Sequence, residues 1–579
     1  MTDSGVRGAT PMDDLAEKYL AEHLALDPIL ATELGVPGHR TRLPDFSPDG
    51  LSEISALRRR TLAALGETLP QDATDQVTAA ALRERLQAAE DLRETGAEES
   101  HLNNLNSPLQ RIRLAFDLMA TGTDEDWAAV ATRLAAVPAA LDGYTAALWH
   151  AARRGDPIAR RQIAVGVTQC SAIAADDGTF ATLALQARRA HEADGLPRGI
   201  LDEVERRARA ARNAYAGVAD FLARDLDGRA VDLDGVGWDR YARYARLSLG
   251  MPIDVEETYA WGLAELRRIG AEMAEVAGRI VPGGSVQEAM AALDADPARR
   301  LDGTGALLKW LRRTCDEAVA ALADKHFDIP EPVREIDCVV VPTGGGIYYT
   351  GPSDDLSRPG RVWWGVSPEA SAFSTWREVS TVYHEGVPGH HLQVAQTALR
   401  RDSLNTWRRL AAWVDGHGEG WGLYAERLMA ELGFLDDPGD RLGMLASQAF
   451  RAARVVIDVG FHCGLPAPDE AGGGSWTYER ARRLLTAHST KSAERVRFEI
   501  DRYLGLPAQA SSYKMGERAW LDLREAVRAR AGAAFDLASF HREALDLGSV
   551  GLDVLRAAML GDLSGPRERA GRPSTGEVT

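Results

Sequence analysis

Three of the histidines fall within one short run, His384-Glu385-Gly-Val-Pro-Gly-His390-His391. A His-Glu pair followed one turn later by another His is a zinc-hydrolase pattern. Positions i and i+4 put two imidazoles on one helix face, with the Glu beside the metal's water. The spacing here departs from it. In an unbroken helix His390 would lie about 240° around from His384, and His391 would share its face but sit roughly 10 Å along the axis. For either to meet His384 at one ion, the helix must break between them. Pro388 removes an amide donor and crowds the preceding turn, and Gly386 and Gly389 admit backbone that other residues avoid, so an extruded turn is predicted there.

A third ligand has to come from elsewhere. Gly418-Glu-Gly-Trp-Gly-Leu-Tyr-Ala-Glu426 reads as a second helix whose apolar face, with Trp421, Tyr424 and Leu428, would pack against the first. Glu419 completes a set of two His and one carboxylate around zinc, leaving a position for water. Glu426, two turns on, is placed to hold a ligand imidazole. Glu385 is then the general base that takes a proton from the water and delivers it to a leaving amine. An oxyanion donor is still needed, and the candidates are Tyr513, Lys514 and His462. The same ligand set also suits non-haem iron, and Mn or Co are further alternatives to one zinc per chain.

These groups need a scaffold. The chain has 579 residues, 45% apolar and 26% charged, which excludes disordered and collagen-like classes. From Asp13 to about Lys325 apolar residues recur every three or four positions, as in Leu109, Ile112, Phe116, Met119 and in Leu141, Tyr144, Leu148, Ala151. That spacing predicts successive amphipathic helices. Near Pro330 the period changes. Ile336–Val341, Ile347–Thr350 and Arg361–Gly365 read as three short strands between turn residues. Helical patterning resumes at Thr375, breaks at 386–389 and at 467–474, and continues to about Met559. The reading is a mainly α, two-lobed body with a small antiparallel sheet before the His-Glu helix and a deep central cleft. Its parts are a helical lobe (1–330), the sheet (331–370), a catalytic helical region (371–563) and a disordered tail (564–579).

Acidic residues outnumber basic ones by 85 to 67, a formal charge of −18, which disfavours nucleic acid and anionic membranes as partners. No stretch approaches the roughly 18 apolar residues of a membrane span, and no signal peptide is recognisable, so the expected location is the cytoplasm. Cys170, Cys315, Cys338 and Cys463 form no C-x-x-C pair and read as reduced thiols. Oligomeric state is not legible.

His384 to Gln393 matches His-Glu-x-x-Pro-Gly-His-His-x-Gln, and with Ala31–Gly35, Leu43–Ser47, Tyr348–Gly360, Glu419–Glu426 and Tyr513–Gly516 it gives a resemblance covering most of the chain. The chain resembles bacterial proteins known as domain of unknown function 885. That family in turn is similar to helical zinc peptidases such as carboxypeptidase Taq, thimet oligopeptidase and angiotensin-converting enzyme. The resemblance implies that Gly389-His390 corresponds to their Gly-His, making His390 the second ligand with His391 as the alternative, and that Glu419 is the third. It also implies that the strands around Tyr348, Tyr349 and Thr350 and around Arg361–Gly365 offer an edge to an extended peptide, and that Arg454 and Arg502 clamp a substrate carboxylate, while Arg358 ties a turn.

The expected function is therefore zinc-dependent hydrolysis of peptide or amide bonds, on small peptides because a deep cleft excludes folded proteins. One alternative keeps the metal but acts on a single small metabolite as an amidohydrolase, lyase or rearranging enzyme. Another is a non-catalytic helical binding protein with a decayed site.

Overall fold

The structure, a computed structural model, describes residues 7–342, 346–354, 356 and 358–563; the tail 564–579 lies outside them. The chain is mainly α, with helices from Pro11–Leu26 through Leu552–Met559 and two small sheets. The periodicity read between 109 and 151 marks buried helix faces: Leu109, Ile112, Phe116, Leu141, Tyr144, Leu148 and Ala151 are all buried. Met119 lies beyond the end of its helix, Pro108–Asp117, and is only partly buried.

Two apolar cores result. One is built mainly from helices between Pro108 and Phe221, with Phe180 and Tyr215 at its centre. The other joins the helices before Arg93 to everything from Trp238 onward and surrounds the His-Glu helix, burying Trp376, Trp421 and Trp520.

The three expected strands are present, as β2 (Ile336–Val341), β3 (Ile347–Thr350) and β4 (Gly360–Gly365). Their sheet is mixed rather than antiparallel. The order is β2-β4-β3, with β2 parallel to β4 and β3 antiparallel to it. The chain crosses from β2 to the far edge and then returns through the middle, a direction that side-chain alternation does not encode. Arg358 ties the β3–β4 turn by donating to the Gly351 and Pro359 carbonyls. A second pair, β1 (Arg300–Asp302) against β5 (Ala372–Ser374), was not expected, being too short to display a period. Among the described residues β3 pairs only with β4, which leaves its other edge without a strand partner there, whereas the expected edge at Arg361–Gly365 is lost because β4 lies in the middle of the sheet. Residues 346–351 line a cavity of about 840 Å³ that is also lined by the His-Glu residues. Among the described residues no helix is long and apolar enough to cross a membrane.

Candidate metal centre

The helix Thr375–Glu385 buries Trp376, Val379 and Val382 and stops at Gly386; a new helix, His390–Ala398, starts four residues later. The break falls where the glycines and Pro388 predicted it, and the Val387–Pro388 peptide is cis. Several of its backbone groups have partners. Gly386 N–H donates to Val382 O (2.8 Å), Gly389 N–H to Tyr383 O (3.0 Å) and His391 N–H to Gly386 O (3.1 Å). The Trp421 indole N–H donates to Pro388 O (2.9 Å), so the second helix holds the turn of the first.

That second helix, Asp415–Glu431, brings Glu419 to the break. Glu419 Oε2 is 3.4 Å from His384 Nε2 and 3.6 Å from His390 Nε2, and the two imidazole rings are 4.8 Å apart and nearly perpendicular. The three candidate ligand atoms all lie within 4.8 Å of one another. Such a set fits a borderline-soft divalent cation. The approach depends on a missing side chain: a Cβ at Gly422 would lie 2.5 Å from His384 Cε1.

His384 Nδ1 is 2.9 Å from Glu426 Oε1, which as a carboxylate accepts, leaving Nε2 turned toward Glu419. His390 Nδ1 lies 3.4 Å from Gln393 Oε1. Glu385 is buried beside both imidazoles, lines the cavity, and its Oε2 has no hydrogen-bond partner among the described residues.

The charges are as close as the distances suggest. Burial pulls the His384 imidazole down, but Glu419, Glu426 and Glu385 together raise it to about 10. Burial raises the Glu419 carboxyl, and the two imidazoles outweigh it and hold it well below the usual range. For Glu385 burial prevails over His390 and His384 and moves the carboxyl upward. Three carboxylates around two imidazoles make a corner that favours added positive charge.

His391 is turned away from the trio. Its Nε2 donates to Val333 O (2.7 Å) and its ring abuts Tyr349. Burial takes it down to about 4, so it is neutral.

Tyr513 lines the same cavity, on the helix Gln509–Ala531. Burial pushes its phenol up to about 12; Glu419 acts in the same direction, while Arg502 and Arg454 oppose. It is carried there by a crossing of bare backbones: a Cβ at Gly420 would lie 2.4 Å from Gly516 C, and one at Gly516 2.0 Å from Gly416 O.

Two expected oxyanion donors are corrected. Lys514, next to Tyr513 in sequence, points the other way into a buried cluster with Gln448, Glu517 and Glu265 (3.0 Å), where its charge is paired. His462 is buried near Asp458, with Nε2 donating to Tyr503 O (2.9 Å). Neither lines the cavity. Tyr348, Tyr349, Arg454 and Arg502 do line it, Tyr348 half exposed and Tyr349 with its hydroxyl unpartnered among the described residues.

Several contributors went unread in the sequence. Gln393, at i+3 from His390, was detectable by helical spacing. The glycines at 416, 418, 420 and 422, an unfavourable run for a helix, were a signal of close approach. Glu499 and Arg495, which organise the arginines of the cavity, carried no local signal.

A family model described as "Bacterial protein of unknown function (DUF885)" matches residues 28–559. The fold is similar to that of a "putative lipoprotein" from Colwellia psychrerythraea, at 23% identity and a TM-score of 0.81, covering 95% of this chain and 98% of the other. It is also similar to a "putative lipoprotein of unknown function" from Shewanella oneidensis, at 17% identity and a TM-score of 0.72, covering 95% and 100%. No curated protein matches the chain in sequence.

Proposed function

The chain belongs to the DUF885 family, and from that premise and the ligand geometry we propose that it is a zinc-dependent hydrolase of peptide or amide bonds in small substrates. The observation that carries this reading is the convergence of His384, His390 and Glu419 atoms within 4.8 Å beside the buried, unpartnered carboxylate of Glu385.

His384, His390 and Glu419 would hold the zinc, which when bound would supply a Lewis acid for the scissile carbonyl and a water of lowered pKa. The rest is done by the chain. Glu426 and Gln393 orient the imidazoles through their second nitrogens. Glu385, its carboxyl raised by burial, is the base beside the ligands. It takes a proton as the water oxygen bonds to the carbonyl carbon, and passes it to the nitrogen as the C–N bond breaks, leaving a carboxylic acid and an amine. Tyr513, held protonated, is the donor we assign to the developing oxyanion; it replaces Lys514 and His462 in that role. The free edge of β3 offers backbone hydrogen bonds to an extended segment, with Tyr348 and Tyr349 flanking it.

The test is zinc analysis of protein purified without chelator, with hydrolysis of a peptide library before and after substituting Glu385→Gln. One zinc per chain and turnover that needs Glu385 support the reading. Absence of stoichiometric metal, or full turnover by a zinc-loaded Glu385→Gln protein, ends it. As to location, the sequence expectation is the cytoplasm, whereas the description of the two structural relatives as lipoproteins favours the cell envelope. Fractionation of the native cell with immunodetection decides between them.

A further inference from the structure

Away from the cavity, the four buried cysteines are not equivalent. Cys170 lies in the core between Pro108 and Phe221, and Cys463 ends the helix Pro438–Cys463. Cys315 and Cys338 meet. Their sulfurs are 3.9 Å apart, the two residues are 3% and 1% exposed, and both thiols are free. Spacing alone conceals the pair, because 23 positions separate its members and β2 must lie back against a helix to bring them together.

Cys315 sits on the buried face of the helix Gly303–Leu322, beside Leu311, Ala318, Val319 and Leu322. Cys338 is the one fully buried position of β2, and its neighbours Asp337 and Val339 are partly exposed. Among the described residues β2 pairs only with β4, so it is an edge strand. Local opening of such an edge gives a water-sized reagent a short path to the sulfur. The pair also borders the metal centre: a Cβ at Gly386 would lie 3.5 Å from Cys315 Sγ, so that sulfur underlies the turn between His384 and His390.

We propose that Cys315 and Cys338 are an oxidation site, which hydrogen peroxide closes into a disulfide tying the helix Gly303–Leu322 to β2 beneath that turn. A disulfide needs its sulfurs about 2.0 Å apart, so each moves by roughly 1 Å, a shift of the size that rotation about the Cα–Cβ bonds supplies. The chemistry balances in two steps. The Cys338 thiolate bonds to one peroxide oxygen as the O–O bond breaks, and the departing hydroxide takes the proton that Cys338 gave up, leaving water and a sulfenic acid. The Cys315 sulfur then bonds to the Cys338 sulfur as the S–O bond breaks, and the released hydroxide takes the Cys315 proton and leaves as a second water. Two electrons pass from the sulfur pair to the peroxide. Cys338 attacks first because the hydrogen bond from Cys315 draws its thiol down, with burial opposing and Arg312 assisting. The same contact, with burial, moves Cys315 upward and leaves it the resolving partner.

The experiment reduces the full chain, removes the reductant and adds hydrogen peroxide. Remaining thiols are alkylated under denaturant and the digest is mapped by mass spectrometry. The expected result is loss of two of the four thiols, a linked Cys315–Cys338 peptide pair lighter by two hydrogens, and recovery of both thiols on reduction. Cys315→Ser and Cys338→Ser are each expected to abolish the linked pair, and the Cys315→Ser chain to carry a dimedone adduct on Cys338. The oxidised chain is expected to unfold at a higher temperature than the reduced one, because the bond closes the 23-position loop in the unfolded state. Four alkylated thiols after peroxide, oxidation that runs on to sulfinic or sulfonic acid, or bonds to Cys170 or Cys463 instead overturn the proposal on the wild-type chain alone, even if a serine variant fails to fold. A linked pair that does not raise the midpoint overturns the bond's role as a tie.

Discussion

The two charged corners of the cavity are built on opposite principles. Around His384 and His390, carboxylates are in excess and the His384 imidazole is drawn toward protonation. Around Glu499, guanidiniums are in excess and the carboxylate is held ionised. Each corner is short of the charge the other has in surplus. Tyr513 lines the same cavity, with Arg454 over its ring.

The largest effect that separates the corners is on metal. His384→Ala or Glu419→Ala is expected to reduce zinc from about one per chain to a trace by elemental analysis, whereas Arg454→Ala leaves it intact. Next in size is Glu385→Gln. Zinc stays bound while kcat falls on the order of 100- to 10,000-fold, and a smaller drop would mean that another group moves the proton. Glu426→Gln follows, weakening zinc affinity about 10- to 100-fold in a competition titration with a chromophoric chelator.

The corners also part in their response to pH. His384 rises from 6.5 to about 10 on folding, so in metal-free protein its contribution is full below about 6.5 and is lost as pH rises through 10. Glu499 falls from 4.5 to about 2, so its contribution is present above about 4.5 and is lost as pH falls through 2. Thermal melts of His384→Ala and Glu499→Gln proteins across pH should converge on wild type at the alkaline and acid limbs respectively. The same limb for both would dissolve the contrast. The smallest effect is expected from His391→Gln, which costs about 1–3 kcal/mol in denaturant unfolding through a lost buried hydrogen bond and leaves zinc content unchanged.

Much of the metal corner was legible because its determinants are local. Pro388 between two glycines foretold the break, and that break removed the geometric objection to pairing His384 with His390. Glu419 could be found because helix-borne zinc sites draw a carboxylate from the next helix. The choice between His390 and His391 was not local: it turned on Val333 O, which offers His391 a partner from distant chain. Lys514 was misread for the same reason. Adjacent to Tyr513 in sequence, it projects from another helix face toward Glu265, and sequence adjacency says little about a shared cavity. The arginine corner was half visible, since Arg454 and Arg502 stood out while Glu499, which sets their arrangement, did not. In the fold, helices announced themselves by period, whereas the parallel pairing of β2 with β4 depended on a crossover that no pattern of alternation records.

The position of β3 has a further consequence for life in a crowded cell. A bare strand edge on an open surface invites pairing with other chains, and proteins commonly blunt it with lysine, proline or a bulge. Here Ile347-Tyr-Tyr-Thr350 has neither lysine nor proline, and its residues line the cavity. Lining the cavity in place of those guards makes the edge the part of the sheet where a variant such as Tyr348→Lys would show whether the space or the sequence limits pairing.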